Sequence, residues 1–166
     1  MTAAAPTASR SPLSTPLALF RVVAIAEAIT WALLIGGMIL RAVTGEGIGV
    51  SIGGGVHGFV FLAYVATVVL VGIHQRWAAG TWALSIGSAI VPFATIPAEL
   101  WLSRSGRLAG TWRLEATSDP RDQRPLDRAV RTLLRHPIAF GLAAAALVVV
   151  VFVALLVVGP PGGGEH

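Results

Sequence analysis

Twenty-two consecutive residues, Gly53 to His74 (GGGVHGFVFLAYVATVVLVGIH), contain no Asp, Glu, Lys or Arg. As a helix, a run of that length reaches across the hydrocarbon core of a bilayer, about 30 Å thick. In water it would have to be covered on every side. Apolar runs also precede and follow it, from Val22 to Leu40 and from Thr81 to Leu102, and each carries one carboxylate, Glu27 and Glu99. His57 stands near the start of the central run. A fourth run, Ile138 to Val158, has no polar side chain at all. Composition agrees with the bilayer as solvent: 55% of residues are apolar, only 12% are charged, and the mean hydropathy is +0.77, whereas soluble domains carry about 25% charged residues. The predicted fold class is an all-α membrane protein, a bundle of three transmembrane helices (residues 17–104) with a fourth, peripheral transmembrane helix (138–158).

The connecting segments differ sharply in character. Residues 1–16 (MTAAAPTASRSPLSTP) are Ala, Ser, Thr and Pro with one arginine, too poor in apolar bulk to pack, and read as a disordered tail. Glu27 inside the first run argues against a cleaved signal and for a permanent anchor. Ala42 to Ile52 reads as a short loop, and residues 159–166 as a flexible end. From Ser103 to Pro137 the chain turns polar and basic, most of it the segment 105–137. Eight arginines (104, 107, 113, 121, 124, 128, 131 and 135) stand against Glu115, Asp119, Asp122 and Asp127. Within this stretch PLDRAVRTLLRH puts Leu126, Val130, Leu133 and Leu134 on one side of a helix and Arg128, Arg131 and Arg135 on the other, with Pro125 suited to its first turn. Such a helix is expected to lie on the cytoplasmic leaflet, with the Arg104 to Arg135 segment meeting anionic lipid headgroups. Nothing in its context points to nucleic acid. With four crossings, the arginine balance predicts a multi-pass protein of the bacterial plasma membrane with both termini outside.

Cysteine is absent, which removes disulfides, thiolate metal sites and cysteine nucleophiles. His57, His74 and His136 are spread along the chain, and two separated glutamates do not make an acid–base pair, so no catalytic residue, cofactor or metal site is predicted. The candidate functional residues are the polar groups in the spans: Arg21, Glu27, His57, Tyr64, Thr67, Ser88, Pro92 and Glu99. A charge at mid-membrane costs roughly 2.5 to 3.5 kcal/mol, so Glu27 should face protein or be protonated. Pro92 and Pro97 each remove an amide donor from the third run, and Ser85, Ser88, Pro92, Thr95 and Glu99 recur at 3- and 4-residue spacing on one face. Counting depth along antiparallel helices puts His57 and Glu99 near one membrane face and Glu27 near the other, with Thr67 and Ser85 or Ser88 at its depth. At that level Glu99 either holds His57 by a charge-assisted hydrogen bond or reaches the headgroups beside Trp101. The glycines from Gly53 to Gly58 either let helices pack closely or clear space beside His57.

Arg21 followed six residues on by Glu27, His57-Gly58 followed by Phe59 and Phe61, and Pro92-Phe93 together resemble the small bacterial integral-membrane family catalogued as domain of unknown function 3817. The resemblance covers about residues 17–104. Where that pattern has glycine after the glutamate and after Pro-Phe, this chain has Ala28 and Ala94. It implies the membrane architecture and singles out Arg21, Glu27 and His57, and it implies no activity. Function reads best as a noncatalytic accessory or structural membrane protein, alone or in a homo-oligomer or larger complex. The alternative is a small oligomeric proton-linked carrier using Glu27, His57 and Glu99.

Overall fold

A computed structural model describes residues 15–116 and 118–158; residues 1–14 of the expected N-terminal tail and the expected end at 159–166 lie outside the described residues, while Thr15 and Pro16, expected in the tail, cap and begin the first helix. Among the described residues, all regular structure is helical: α1 (Pro16–Thr44), α2 (Ile48–Gln75), α3 (Ala79–Ser88), α4 (Thr95–Arg104), a single 3₁₀ turn (Pro120–Gln123), α5 (Pro125–Arg135) and α6 (Pro137–Val158). Two of them, α1 and α2, are long and apolar enough to cross a membrane. Their outward faces are apolar, with Ile25, Ile29, Leu33, Ile39 and Ile52 exposed, while Glu27, Thr30, His57, Thr67, Ser85 and Thr95 are buried. That inversion suits hydrocarbon, because a large continuous apolar surface is rare on proteins in water.

α1 starts where the Thr15 hydroxyl accepts the amide of Ala18 at 3.1 Å and Pro16 fills the first position, whose N–H would have no helical partner. It ends at Gly45 in the left-handed conformation, φ 79°, whose N–H bonds back to Arg41 O. The connection is therefore three residues, Gly45 to Gly47, shorter than the expected loop from Ala42 to Ile52. Backbone contact explains the extension. A Cβ on Gly37 would come within 2.5 Å of Gly49 O, and one on Gly53 within 3.0 Å of Leu33 O. The glycines let α1 and α2 run together past their apolar stretches.

The third apolar run is not one straight helix. α3 begins beside the end of α2, where the Trp82 ring lies against Gly72 and faces Trp77 at 6.2 Å. It rises ten residues, about 15 Å, half the thickness of a hydrocarbon core. There Ser88 meets Tyr64. After a turn over residues 89–94, α4 descends past Ala24 and Arg21, and the following chain returns to α2, with Trp77 Nε1 donating to Arg107 O at 3.0 Å and Gln75 Nε2 to Ala109 O at 2.9 Å. The expected three-helix unit is thus two long helices and a hairpin that enters and leaves by the same end. Pro92 lies in the turn, and Pro97 in the first turn of α4, where no donor is missed. Inside the turn the amides of Ala89, Ile90 and Ala94 bond to carbonyls three residues back, and Phe93 takes φ 63° to close it.

This geometry changes the accounting of ends. The start of α1, the end of α2, both feet of the hairpin and the basic segment share one end of the bundle. The expectation of both termini outside counts the third run as one straight span, whereas that run folds as a hairpin. Nor is the segment 105–137 free of the bundle. Leu108 is in the core beside Phe20, Tyr64, Val71 and Leu102. The Trp112 ring packs on His74 at 4.9 Å, and Arg113 donates to His74 O. Arg76, in the left-handed conformation at the end of α2 (φ 54°), donates to Asp119 and Asp122 at 2.5 Å each. Arg131 joins the nearly fully buried Asp122 from α5. α6 then runs back along the outside of α2, where Phe152 fills the space left by Gly58 and meets Phe59 edge-on at 6.2 Å. It touches α2 and α5 but neither α1 nor the hairpin.

Candidate functional site

The polar side chains of the spans form a seam where the hairpin lies in the groove between α1 and α2. On α1 the buried positions Phe20, Ala24, Glu27 and Thr30 recur at 3- and 4-residue spacing, so this stripe faces inward. At the foot of the seam Arg21 donates to Glu99 of α4, Nε to Oε1 at 3.0 Å and Nη2 to Oε1 at 2.9 Å. Glu99 is 6% exposed and Arg21 49%, so the pair has one wet and one dry partner. Arg21 reaches in from the boundary to do this.

Nearly two turns further along α1, Glu27 is fully buried. Its Oε2 accepts from Thr95 Oγ1 at 3.1 Å, and the same hydroxyl reaches Ala24 O at 3.1 Å. Thr95 is the first residue of α4. The hairpin therefore brings a helix N-terminus, with its positive dipole end, up to a carboxylate in the middle of the slab. The other oxygen, Oε1, and the indole N–H of Trp31 one turn on both lack a partner of hydrogen-bonding geometry, though the indole is near enough to act on the carboxylate. Above them the Thr30 hydroxyl meets the main-chain O of Glu27 at 2.9 Å and His57 Nδ1 at 3.2 Å, and the His57 ring lies 4.3 Å from that of Trp31.

On the opposite wall Tyr64 Oη donates to Ser85 O at 3.2 Å and lies 3.0 Å from Ser88 Oγ, which itself reaches Ser85 O at 2.8 Å. These bonds go to a buried carbonyl in the last turn of α3, where helix carbonyls run out of backbone partners. Thr67, expected beside Glu27, instead returns its hydroxyl to Ala63 O of its own helix at 2.9 Å.

The His57–Glu99 contact is not formed. Depth counting treated the third run as one straight helix ending at the far face; because it folds back, Glu99 comes to the level of Arg21, and His57 is left with Thr30 and Trp31 of α1. The layer assigned to Glu27 is likewise corrected, since its hydroxyl partner is Thr95 of α4 and not Thr67, Ser85 or Ser88. Thr30, Trp31 and Thr95 were missed as site residues. Thr30 could have been found, three residues beyond Glu27 on the same helical face.

Among the described residues no three of His, Asp and Glu converge as metal ligands would. The seam is a set of short polar contacts, each joining two helices or closing a helix end. All of it lies within residues 17–104, the stretch matched by the family described as domain of unknown function (DUF3817). The chain belongs to this family. The DUF3817 match covers α1 to α4, and α5 and α6 lie beyond it. The DUF3817 chain is also 40% identical, over 116 residues, to a protein of Streptomyces coelicolor provisionally described as a membrane protein; the aligned part is 68% of this chain and 13% of the relative's length. No solved structure matches the chain.

Proposed function

We propose that this is a multi-pass protein of the bacterial plasma membrane with a noncatalytic, structural or accessory role, whose polar seam holds a half-depth hairpin against two crossing helices. α1, α2 and α6 would cross, and α3 with α4 would enter from one face. Arg76 and the eight arginines from Arg104 to Arg135 fall at the face where the hairpin enters, against Arg41 at the other. The excess of arginine makes that face cytoplasmic. The start of α1 is then inside and the end of α6 outside, which replaces the sequence-based orientation.

The observation that carries this reading is where the ionisable groups go. Glu99 is taken by Arg21, Glu27 by Thr95 and His57 by Thr30, and the first two of these join the hairpin to α1. Residues held in this way fasten helices together. One observation favours a proton-linked carrier instead: Glu27 Oε1 is buried without a hydrogen-bond partner, and an intramembrane carboxylate is a common proton site. The two readings separate in sealed liposomes containing the purified protein and an internal pH-sensitive dye. The structural role predicts no protein-dependent proton flux under an imposed potential. A flux that Glu27→Gln abolishes would replace it with the carrier.

A further inference from the structure

At the basic end, between the end of α2, the start of α3 and the start of α5, lies a cavity of about 630 Å³. Its inner wall is apolar, made by Gly72, Ile73 and the rings of Trp77 and Trp82. Gly72 is required there, since a Cβ would come within 2.6 Å of the Trp82 ring. Its outer wall is the start of α5, where Leu126 is 65% exposed beside Arg124. The depth is that of the membrane boundary, because α3 begins its climb into the apolar slab at Ala79. Tryptophan and arginine at that level are the side chains that meet lipid headgroups.

The charges select further. Arg76 is already bound by Asp119 and Asp122 at 2.5 Å each, and Asp127 faces its Nε at 3.9 Å. Arg124 is exposed and makes no ion pair with a described residue. An amphiphile entering here would lay a chain along Ile73, Trp82 and Leu126, and offer its phosphate to Arg124. Asp127 opposes a second negative charge, while it can accept a hydrogen bond from a headgroup hydroxyl.

We infer that this cavity is a binding site for a monoanionic phospholipid, its phosphodiester held by Arg124 and its chain by the Trp77–Trp82 wall. The site rests on the membrane reading above. It differs from a general attraction of the basic segment for anionic lipid, because several of those arginines are occupied inside the protein: Arg113 by His74 O, Arg131 by Asp122 and Arg135 by Leu114 O.

The test is thermal unfolding of the full chain in a neutral detergent, titrated with phosphatidylglycerol, phosphatidylcholine or inorganic phosphate. Phosphatidylglycerol is expected to raise Tm, while phosphatidylcholine and inorganic phosphate leave it unchanged. Arg124→Gln should raise the half-saturating phosphatidylglycerol concentration about fivefold, the worth of one arginine at an anionic surface. Arg104→Gln, an exposed arginine away from the cavity, should not. Equal effects of the two substitutions would show a diffuse basic surface and overturn the site; so would an equal rise with phosphatidylcholine, or a rise with phosphate alone. A chain that stays monodisperse after detergent removal would instead overturn the membrane reading on which the site depends.

Discussion

Thr95 ties the hairpin to α1 through a single hydroxyl. Its one hydroxyl proton is shared between Ala24 O and Glu27 Oε2, both at 3.1 Å, and both contacts are buried. Thr95→Val keeps the shape and removes the donor, leaving a fully buried carboxylate oxygen without a partner. A loss of this kind costs about 1 to 3 kcal/mol. Several degrees should therefore be lost from Tm in detergent. Arg21→Gln should also lower Tm, because it leaves the Glu99 side chain, 6% exposed, without its cation. If the seam is glue, Glu27→Leu added to Thr95→Val should cost less than the sum of the two alone, with a coupling of about 1 kcal/mol, since removing both partners removes the unmet need. Strict additivity in that double-mutant cycle would mean that the two side chains do not support each other.

Among the elements, α1 and α2 were legible because their apolar length is a local property, and the arginines and glycines at their ends could be read directly. The amphipathic helix was found within a residue at either end, 125–135, since Pro125 and the spacing of Val130 carry that information locally. The hairpin was not legible. Twenty-two residues from Thr81 to Leu102 are long enough to cross, and Pro92 with Pro97 reads equally well as a kink. What decides between crossing and return is the pair of contacts at the feet, Trp82 on Gly72 and Trp77 with Arg107, which are tertiary. The candidate site failed for the same reason. Glu27, His57, Tyr64, Ser88 and Glu99 fall in the buried seam, but partners counted along a straight helix were assigned to the wrong depth. The same contacts revise where the chain can be cut. Stopping after Arg104 removes Leu108 from the core and the groups that bind Arg76 and His74, so that truncated chain should aggregate or be degraded. Stopping after His136 removes only α6, whose described inner contacts are with α2 and α5. This longer fragment should remain inserted and helical, and its aggregation would show that α6 belongs to the core.

At the scale of the whole molecule the distinction between a crossing and a return becomes a difference of one membrane face. If α3 and α4 together crossed, Ala78 before them and Ser105 after them would lie on opposite sides. In the folded-back arrangement both lie at the basic end, and Glu46, in the turn between α1 and α2, lies at the other. All three positions are exposed, and the chain has no cysteine of its own, so single cysteines can be placed at each without background. Under the orientation proposed above, the basic end is cytoplasmic. In intact cells a membrane-impermeant thiol reagent should label the protein carrying Glu46→Cys. The proteins carrying Ala78→Cys and Ser105→Cys should both stay protected until the membrane is opened. Labelling of Ala78→Cys and Ser105→Cys together, with Glu46→Cys protected, would keep the hairpin and reverse the orientation. Labelling of only one of the two would mean a full crossing, and with it the contacts of Glu99 with Arg21 and of Thr95 with Glu27 could not both form, because each depends on α4 descending alongside α1.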